Sequence, residues 1–288
     1  MANSHHNTLI QASDLMALIN RQSEVVLIDA SFDLTDAQAG ERAHAAGHLP
    51  GAFYADLERD LSGEKTGRTG RHPLPERAVF AATVARWGVR PGVQVVVYDR
   101  HGGMYAARLW WMLRWLGHAE AALLDGGVAA WQAAGGAMSA ELVAARAAAP
   151  YPDPEPDRAS LVTHVSADEL MLRLGKTPLI DARMAERFRG DAEPLDAQAG
   201  HIPGARNRFF KDNLDASGRF KSAAQLKEEF SAVVGLSAPH QVVHQCGSGV
   251  TACHNLLAME VAEMGGSALY VGSWSEWSAD PSRPIARG

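Results

Sequence analysis

An α/β fold made of two consecutive copies of one parallel-sheet domain is predicted by three observations. These are an ordered internal repeat, strand-length apolar runs alternating with helical stretches, and a proline-rich break between the copies. The repeat is the strongest of them. Val25-Val26-Leu27-Ile28-Asp29-Ala30 is answered by Thr177-Pro178-Leu179-Ile180-Asp181-Ala182, and Ala46-Gly47-His48-Leu49-Pro50-Gly51-Ala52 by Ala199-Gly200-His201-Ile202-Pro203-Gly204-Ala205. Val95-Val96-Val97-Tyr98 then pairs with Gln241-Val242-Val243-His244, and the stretch from Asp125 to Trp131 with that from Val271 to Trp277. Asp29 and Asp181 stand 152 positions apart, His48 and His201 153, Tyr98 and His244 146, and Gly126 and Gly272 146. Four matches in one order imply a duplicated domain of about 140 residues.

Each element follows from its residues. Val25 to Asp29, Gln94 to Tyr98, Ala121 to Leu124, Leu179 to Asp181, Gln241 to His244 and Ala268 to Val271 are short apolar runs suited to strands buried on both faces of a parallel sheet. Ser13 to Asn20 and Ser166 to Leu174 start on a serine with an acid soon after, as a helix N-terminus prefers. Ala106 to Leu116 and Ala252 to Met264 are longer, with Gly117 and Gly265 as their expected stops. Pro150, Pro152, Pro154 and Pro156 alternate with Tyr151, Asp153, Glu155 and Asp157, which favours an extended, semi-rigid spacer. The expected division is therefore a first domain over 1–149, a linker over 150–158 and a second domain over 159–288.

Composition narrows the function classes. Hydrophobic residues at 47% and charged residues at 21% are those of a chain able to bury a sizeable core. The 27 basic residues against 33 acidic ones give a net charge of −6, which argues against broad nucleic-acid or anionic-membrane binding. No apolar run approaches the roughly 18 residues of a membrane helix. Met1 to Asn7 is polar, with no basic segment leading into an apolar one, so no secretory leader is expected. Two cysteines, Cys246 and Cys253, make no disulfide framework and suit a reducing, cytoplasmic compartment.

The chemistry points to His244-Gln245-Cys246-Gly247-Ser248-Gly249-Val250-Thr251-Ala252-Cys253, a strand running through a glycine-containing turn into a helix. Such a turn can curl and aim successive amides inward, and the helix adds its free N-terminal donors, so an anion on Cys246 is favoured there. The alternative is a small buried hydrophobe. The first copy carries Arg100 at the equivalent position, within Asp99-Arg100-His101-Gly102-Gly103, which is expected if one copy is catalytic and the other structural. Cys253, two helical turns on, reads as a core residue, with a resolving thiol as the sharper alternative. Cys246, Cys253 and His254 lack the second close pair of a zinc site. A cysteine-phosphatase loop ends in an arginine that clamps phosphate, but here that position is Ala252.

On these residues the chain resembles tandem rhodanese-type sulfurtransferases from about residue 8 to 287. The marks are the two Gly-His-hydrophobic-Pro-Gly-Ala segments, the two Ile-Asp-Ala strands, the Cys loop in the second half only, and Gly272-Ser273-Trp274-Ser275-Glu276-Trp277. Cys246-Gly247-Ser248-Gly249-Val250-Thr251 is similar to the 3-mercaptopyruvate branch; thiosulfate-preferring members carry Arg and Lys in place of Gly247 and Ser248. The resemblance implies two rhodanese-like domains and a double displacement. The Cys246 thiolate takes a sulfur from 3-mercaptopyruvate or thiosulfate, and the persulfide, held by the amides of Gly247, Ser248, Gly249, Val250 and Thr251, passes it to cyanide, a small thiol or a reduced thioredoxin-like protein. It implies no metal and no organic cofactor. Arg187 matches the family's substrate-binding arginine, whose planar guanidinium suits a carboxylate. Arg183 and Arg189 are expected to be structural. Asp56 and His72 match positions that face the Cys loop from the first domain, so Ser248, His72 and Asp56 are expected to form a proton relay. His48 and His201 are expected to bond within their own turns, and Trp274 and Trp277 to pack. Mercaptopyruvate enzymes carry a second arginine nine residues after the first; here Asp196 stands there, an acid expected to oppose a carboxylate. A rhodanese-like binding module, or a sulfur carrier acting on a protein partner, is the alternative reading.

Overall fold

The computed structural model of the chain describes residues 5–144, 151 and 159–288. Apart from Tyr151, the expected linker lies outside the described residues. The chain folds into two compact units, one of Met1–Ser62, Pro75–Leu161 and Ser217–Arg219, the other of Gly63–Leu74, Val162–Ala216 and Phe220–Gly288.

The first unit runs β1 (Leu9–Ile10), α1 (Ala12–Asn20), β2 (Val25–Asp29), α2 (Ala39–Ala46), β3 (Phe53–Tyr54), α3 (Arg77–Arg86), β4 (Gln94–Tyr98), α4 (Ala106–Trp115), β5 (Ala121–Leu124) and α5 (Gly127–Ala133). Its sheet has five parallel strands in the order β1-β5-β4-β2-β3. Leu15, Leu27, Leu49, Val96, Tyr98, Leu124 and Trp131 fill the core on one side of it. The helix α4 buries Trp110, Trp111 and Leu113 completely or nearly so.

The second unit runs β6 (Thr163–Val165), α6 (Ala167–Leu172), β7 (Leu179–Asp181), α7 (Ala185–Arg189), β8 (Ala205–Asn207), a 3-10 turn (Phe210–Asn213), α8 (Ala223–Val234), a second 3-10 turn (Pro239–Gln241), β9 (Val243–Gln245), α9 (Ala252–Val261), β10 (Ala268–Tyr270) and α10 (Ser273–Trp277). Its parallel sheet has the order β6-β10-β9-β7-β8, the topology of the first sheet repeated. Val165, Leu170, Leu179, Ile202, Val243, Tyr270, Trp274 and Trp277 form a core cluster.

Several element ends differ from the sequence expectation. α1 begins at Ala12 behind Gln11, whose side chain makes no cap bond, rather than at Ser13. Ser166 does cap α6, in a reciprocal box with Glu169. Gly117, at φ +84°, ends α4 as expected, with the His118 amide reaching back to the Leu113 carbonyl. α9 ends at Val261, short of Met264, because Glu263 takes the left-handed conformation at φ +59° and the Met264 amide bonds to the Met259 carbonyl. Glu263 is the repeat equivalent of Gly117, so both helices stop by the same motif and only one of them uses glycine. β9 starts at Val243 because Pro239–Gln241 winds into a 3-10 turn.

Candidate active site

The loop between β9 and α9 carries Cys246, which is 1% exposed. Two elements fix its backbone. The Cys246 amide donates to Ser273 Oγ at 3.1 Å, and Ser273 in turn donates to the Tyr270 carbonyl at 2.9 Å. From α10, the Trp274 amide donates to the Cys246 carbonyl at 3.0 Å and the Ser275 amide to the Gly247 carbonyl at 2.9 Å. Ser273 holds φ +52°, a strained value for a residue with a Cβ; its repeat equivalent is Gly127 at φ +54°. Sequence reasoning passed over Ser273. Its signal was a serine standing where the other copy has glycine.

The loop's amides set its chemistry. Gly247, Ser248 and Val250 are buried and Thr251 is partly so, yet among the described residues the amides of these four find no acceptor. Buried donors left unpaired are costly, and a curved row of them is a ready anion cradle. Gly249, at φ +76°, makes the curl. In the first unit the equivalent loop is closed on its own carboxylate, which takes the counterparts of the Gly247 and Thr251 amides. There the Asp99 carboxylate accepts from the amides of His101, Gly103, Tyr105 and Ala106 at 2.8, 2.9, 2.9 and 3.0 Å. The Arg100 guanidinium turns to the carbonyls of Ala43 and Gly47. The repeat equivalent of Asp99 is Gln245, a neutral, fully buried side chain whose amide oxygen and nitrogen have no partner.

Ser248 meets His72. The His72 Nδ1 and Ser248 Oγ are 2.7 Å apart, and both residues are under 10% exposed. His72 was expected as a contribution of the first domain, but the structure counts it in the second unit, on the segment Gly63–Leu74. That segment lies against α10. A Cβ on Gly70 (φ +77°) would come 2.7 Å from the Gly272 carbonyl oxygen and 2.8 Å from Ser275 Oγ, and the Arg71 amide donates to Ser275 Oγ at 3.1 Å. Asp56 belongs to the first unit, where its Oδ1 accepts from the amides of Glu58 and Arg59 at 2.9 and 2.8 Å.

Arg187, on α7, points one edge of its guanidinium at the loop. Nη1 and Nη2 lie 3.4 and 3.7 Å from where a Cβ on Gly247 would stand. Nη2 also donates to Glu193 at 2.7 Å and to Asp196 at 3.2 Å, and Nε to Glu193 at 3.3 Å. Asp196 does not stand free to oppose a carboxylate, as the sequence led us to expect. Its second oxygen accepts from Arg71, so its charge is taken up by two guanidinia. Arg71, directly before His72, is the other residue sequence reasoning missed; no charge pattern marks it, because its partner is 125 positions away. Arg183 is structural, bonded to Asp181 at 2.7 Å and the Gly200 carbonyl at 2.8 Å with its guanidinium over Trp274. Arg189 pairs with Asp191 at the surface.

The remaining candidates pack. Cys253 is fully buried, its Sγ 3.4 Å from the Gly249 carbonyl. His48 Nδ1 meets the His44 carbonyl at 2.7 Å, and His201 Nδ1 the Phe188 carbonyl at 2.8 Å. Trp274 and Trp277 are fully buried, with their indole N–H groups on the carbonyls of Gln198 and Pro284. Among the described residues no cluster of three His, Cys, Asp or Glu side chains is arranged to hold a metal, and no helix is long and apolar enough to cross a membrane.

Comparison with known proteins adds the family. The rhodanese-like domain profile matches residues 11–134 and 166–280. A Pseudomonas aeruginosa protein named "Probable 3-mercaptopyruvate sulfurtransferase" is 45% identical over 284 residues, covering 97% of this chain and 98% of its own. A Gallus gallus thiosulfate sulfurtransferase is 35% identical over 258 residues, covering 87% of this chain and 85% of its own. The solved structure of 3-mercaptopyruvate sulfurtransferase from Leishmania major superposes with a TM-score of 0.80 at 31% identity, covering 96% of this chain and 76% of that one.

Proposed function

The chain belongs to the rhodanese family and is a sulfurtransferase, and from that premise we propose that Cys246 is its sulfur-carrying nucleophile, with 3-mercaptopyruvate the favoured donor and thiosulfate the second. The observation that carries this reading is the set of acceptor-free amides at Gly247, Ser248, Val250 and Thr251 in the turn that follows the buried Cys246. A persulfide anion satisfies such donors, and the Asp99 carboxylate satisfies the matching donors in the first unit. Gly249 completes the curl, and Arg187 faces the donor's carboxylate.

In the first half-reaction the Cys246 thiolate attacks the donor's sulfur. The new S–S bond forms as the sulfur–carbon bond breaks, and that bond's electron pair leaves on carbon as the enolate of pyruvate. The donor's thiol proton travels through Ser248 and His72 to the enolate carbon, giving pyruvate. The resemblance adds Asp56 to this relay. In the second half-reaction a nucleophile such as cyanide, a thiol or a reduced thioredoxin-like protein attacks the outer sulfur, and the thiolate returns. The division of labour we propose makes the first domain, without a loop cysteine, structural. Two free cysteines and a persulfide intermediate favour a cytoplasmic setting.

The test is intact-mass spectrometry after mixing with each donor in the absence of acceptor, beside steady-state turnover with each. One added sulfur per chain, lost on treatment with cyanide and absent from Cys246→Ser, is the expected result. No added sulfur from either donor removes the reading and leaves a binding module.

A further inference from the structure

We propose that Ser275 is a positioning residue for the proton relay: its hydroxyl clips the segment that carries His72 to the turn that carries Cys246, and so fixes the register of His72 on Ser248. The proposal rests on the reading of Ser248 and His72 as that relay and names what holds the pair together.

Three observations carry it. First, Ser275 touches the chain neighbour of each relay member. Its amide donates to the carbonyl of Gly247, the residue before Ser248, at 2.9 Å, and its Oγ accepts from the amide of Arg71, the residue before His72, at 3.1 Å. The Oγ hydrogen goes to the Gly272 carbonyl at 3.1 Å, so the buried hydroxyl is donor and acceptor at once. Second, the segment is shaped to this contact. Gly70 holds φ +77°, and a Cβ there would stand 2.8 Å from Ser275 Oγ and 2.7 Å from the Gly272 carbonyl oxygen, so only glycine lets the chain come close enough for the Arg71 amide to reach. Third, the other copy lacks the device. The repeat equivalent of Ser275 is Ala129, which is exposed and has no hydroxyl.

Geometry says why the relay needs a clip. His72 and Ser248 are 176 positions apart, and a proton passes between two such groups only inside a window of about 2.6–3.2 Å. Gly63–Leu74 is neither helix nor strand, so no ladder of its own fixes where His72 lies. The Arg71 side chain also pairs with Asp196, but a long arm with several rotatable bonds follows a backbone shift that a main-chain bond one residue from His72 resists. Ser275→Ala cuts that main-chain bond selectively. The residue 275 amide stays on Gly247, and the Gly272 carbonyl keeps the Glu276 amide at 3.1 Å. What is lost is the acceptor of the Arg71 amide.

The experiment measures saturation kinetics with mercaptopyruvate and with thiosulfate, beside hydrogen exchange at the Arg71 amide. The enzymes are wild type, Ser275→Ala, Gly70→Ala, His72→Gln and the double variant of Ser275→Ala with His72→Gln. Ser275→Ala is expected to lower kcat with mercaptopyruvate about tenfold, with KM within about threefold and thiosulfate turnover within about twofold of wild type. The Arg71 amide should exchange about tenfold faster or more. In the His72→Gln background Ser275→Ala should cost nothing further, because the clip has nothing left to position. Gly70→Ala attacks the same contact from the other side and should show the same donor selectivity. Equal losses with both donors, a further tenfold loss on top of His72→Gln, or wild-type mercaptopyruvate turnover in Ser275→Ala or Gly70→Ala overturns the proposal. If His72→Gln is slow in that same comparison, the relay stands without the clip. Full mercaptopyruvate turnover in His72→Gln removes the relay, and the proposal with it.

Discussion

The imidazole Nδ1 of His72 lies 2.7 Å from the hydroxyl oxygen of Ser248, two residues beyond Cys246. A buried hydroxyl–imidazole pair beside a thiol is placed to accept one proton and pass it on. Mercaptopyruvate brings a thiol proton that has to reach carbon; thiosulfate brings none. Ser248→Ala and His72→Gln should each lower kcat with mercaptopyruvate by about a hundredfold. The same variants should cost far less with thiosulfate. Equal losses with both donors would mean that the pair only supports the loop.

Cys246→Ser should abolish transfer, because a serine hydroxyl is not ionised at neutral pH and forms no persulfide. Cys253 is fully buried against Gly249 and turned to its carbonyl, where a serine hydroxyl can also donate. Cys253→Ser should therefore keep most of the turnover. A folded Cys253→Ser as inactive as Cys246→Ser would require a two-thiol mechanism.

Gln245→Asp should silence the site without unfolding it. The side chain is fully buried and unpartnered, and in the first unit an aspartate at this point takes up four loop amides. A carboxylate placed there would take the amides of Gly247 and Thr251, the counterparts of His101 and Tyr105, from the proposed persulfide. The expected result is a variant at least as resistant to heat as wild type, with persulfide formation reduced by about a hundredfold or more, the scale on which an oxyanion site loses activity when its donors are lost. Full activity in this variant would mean that the amides do not hold the sulfur anion.

Burial pushes the His244 imidazole from its ordinary 6.5 down to about 3, and its Nδ1 has no partner. The native state therefore keeps this ring neutral where the unfolded chain would protonate it. Its contribution to stability is fully present above pH 6.5 and is lost as pH falls toward 3, at up to about 1.4 kcal/mol per pH unit. Denaturant melts from pH 7 to pH 4 should show this loss, and His244→Leu should flatten it. An unchanged slope in the variant would assign the acid sensitivity to other groups.

Much of this was written in the chain. Val25–Asp29, Gln94–Tyr98, Ala121–Leu124 and Leu179–Asp181 are strands residue for residue, because a parallel sheet covered on both faces demands unbroken apolar runs with sharp polar ends. The Cys loop was legible for the same reason: strand, glycine turn and helix follow within ten residues. What the chain did not reveal depends on residues far apart in sequence. Arg71 has no local sign of its ion pair with Asp196, and Asp196 read alone suggests repulsion. Ser273 acts through the Cys246 amide, 27 positions back. Glu263 stops α9 with a backbone conformation that only comparison with Gly117 would suggest.

The Asp99 carboxylate in the first unit has an implication for what it would take to give that copy a working thiol. The copy without a loop cysteine differs by more than a missing thiol: its loop is self-ligated, with four amides taken by a built-in carboxylate. Introducing a thiol by Arg100→Cys alone would put a cysteine in a loop whose amides are already taken. Reawakening that copy would take at least a paired exchange, Arg100→Cys with Asp99→Gln. On the proposed reading the sealed loop works as a latch, since neither exchange alone would give that copy both a thiol and free amides.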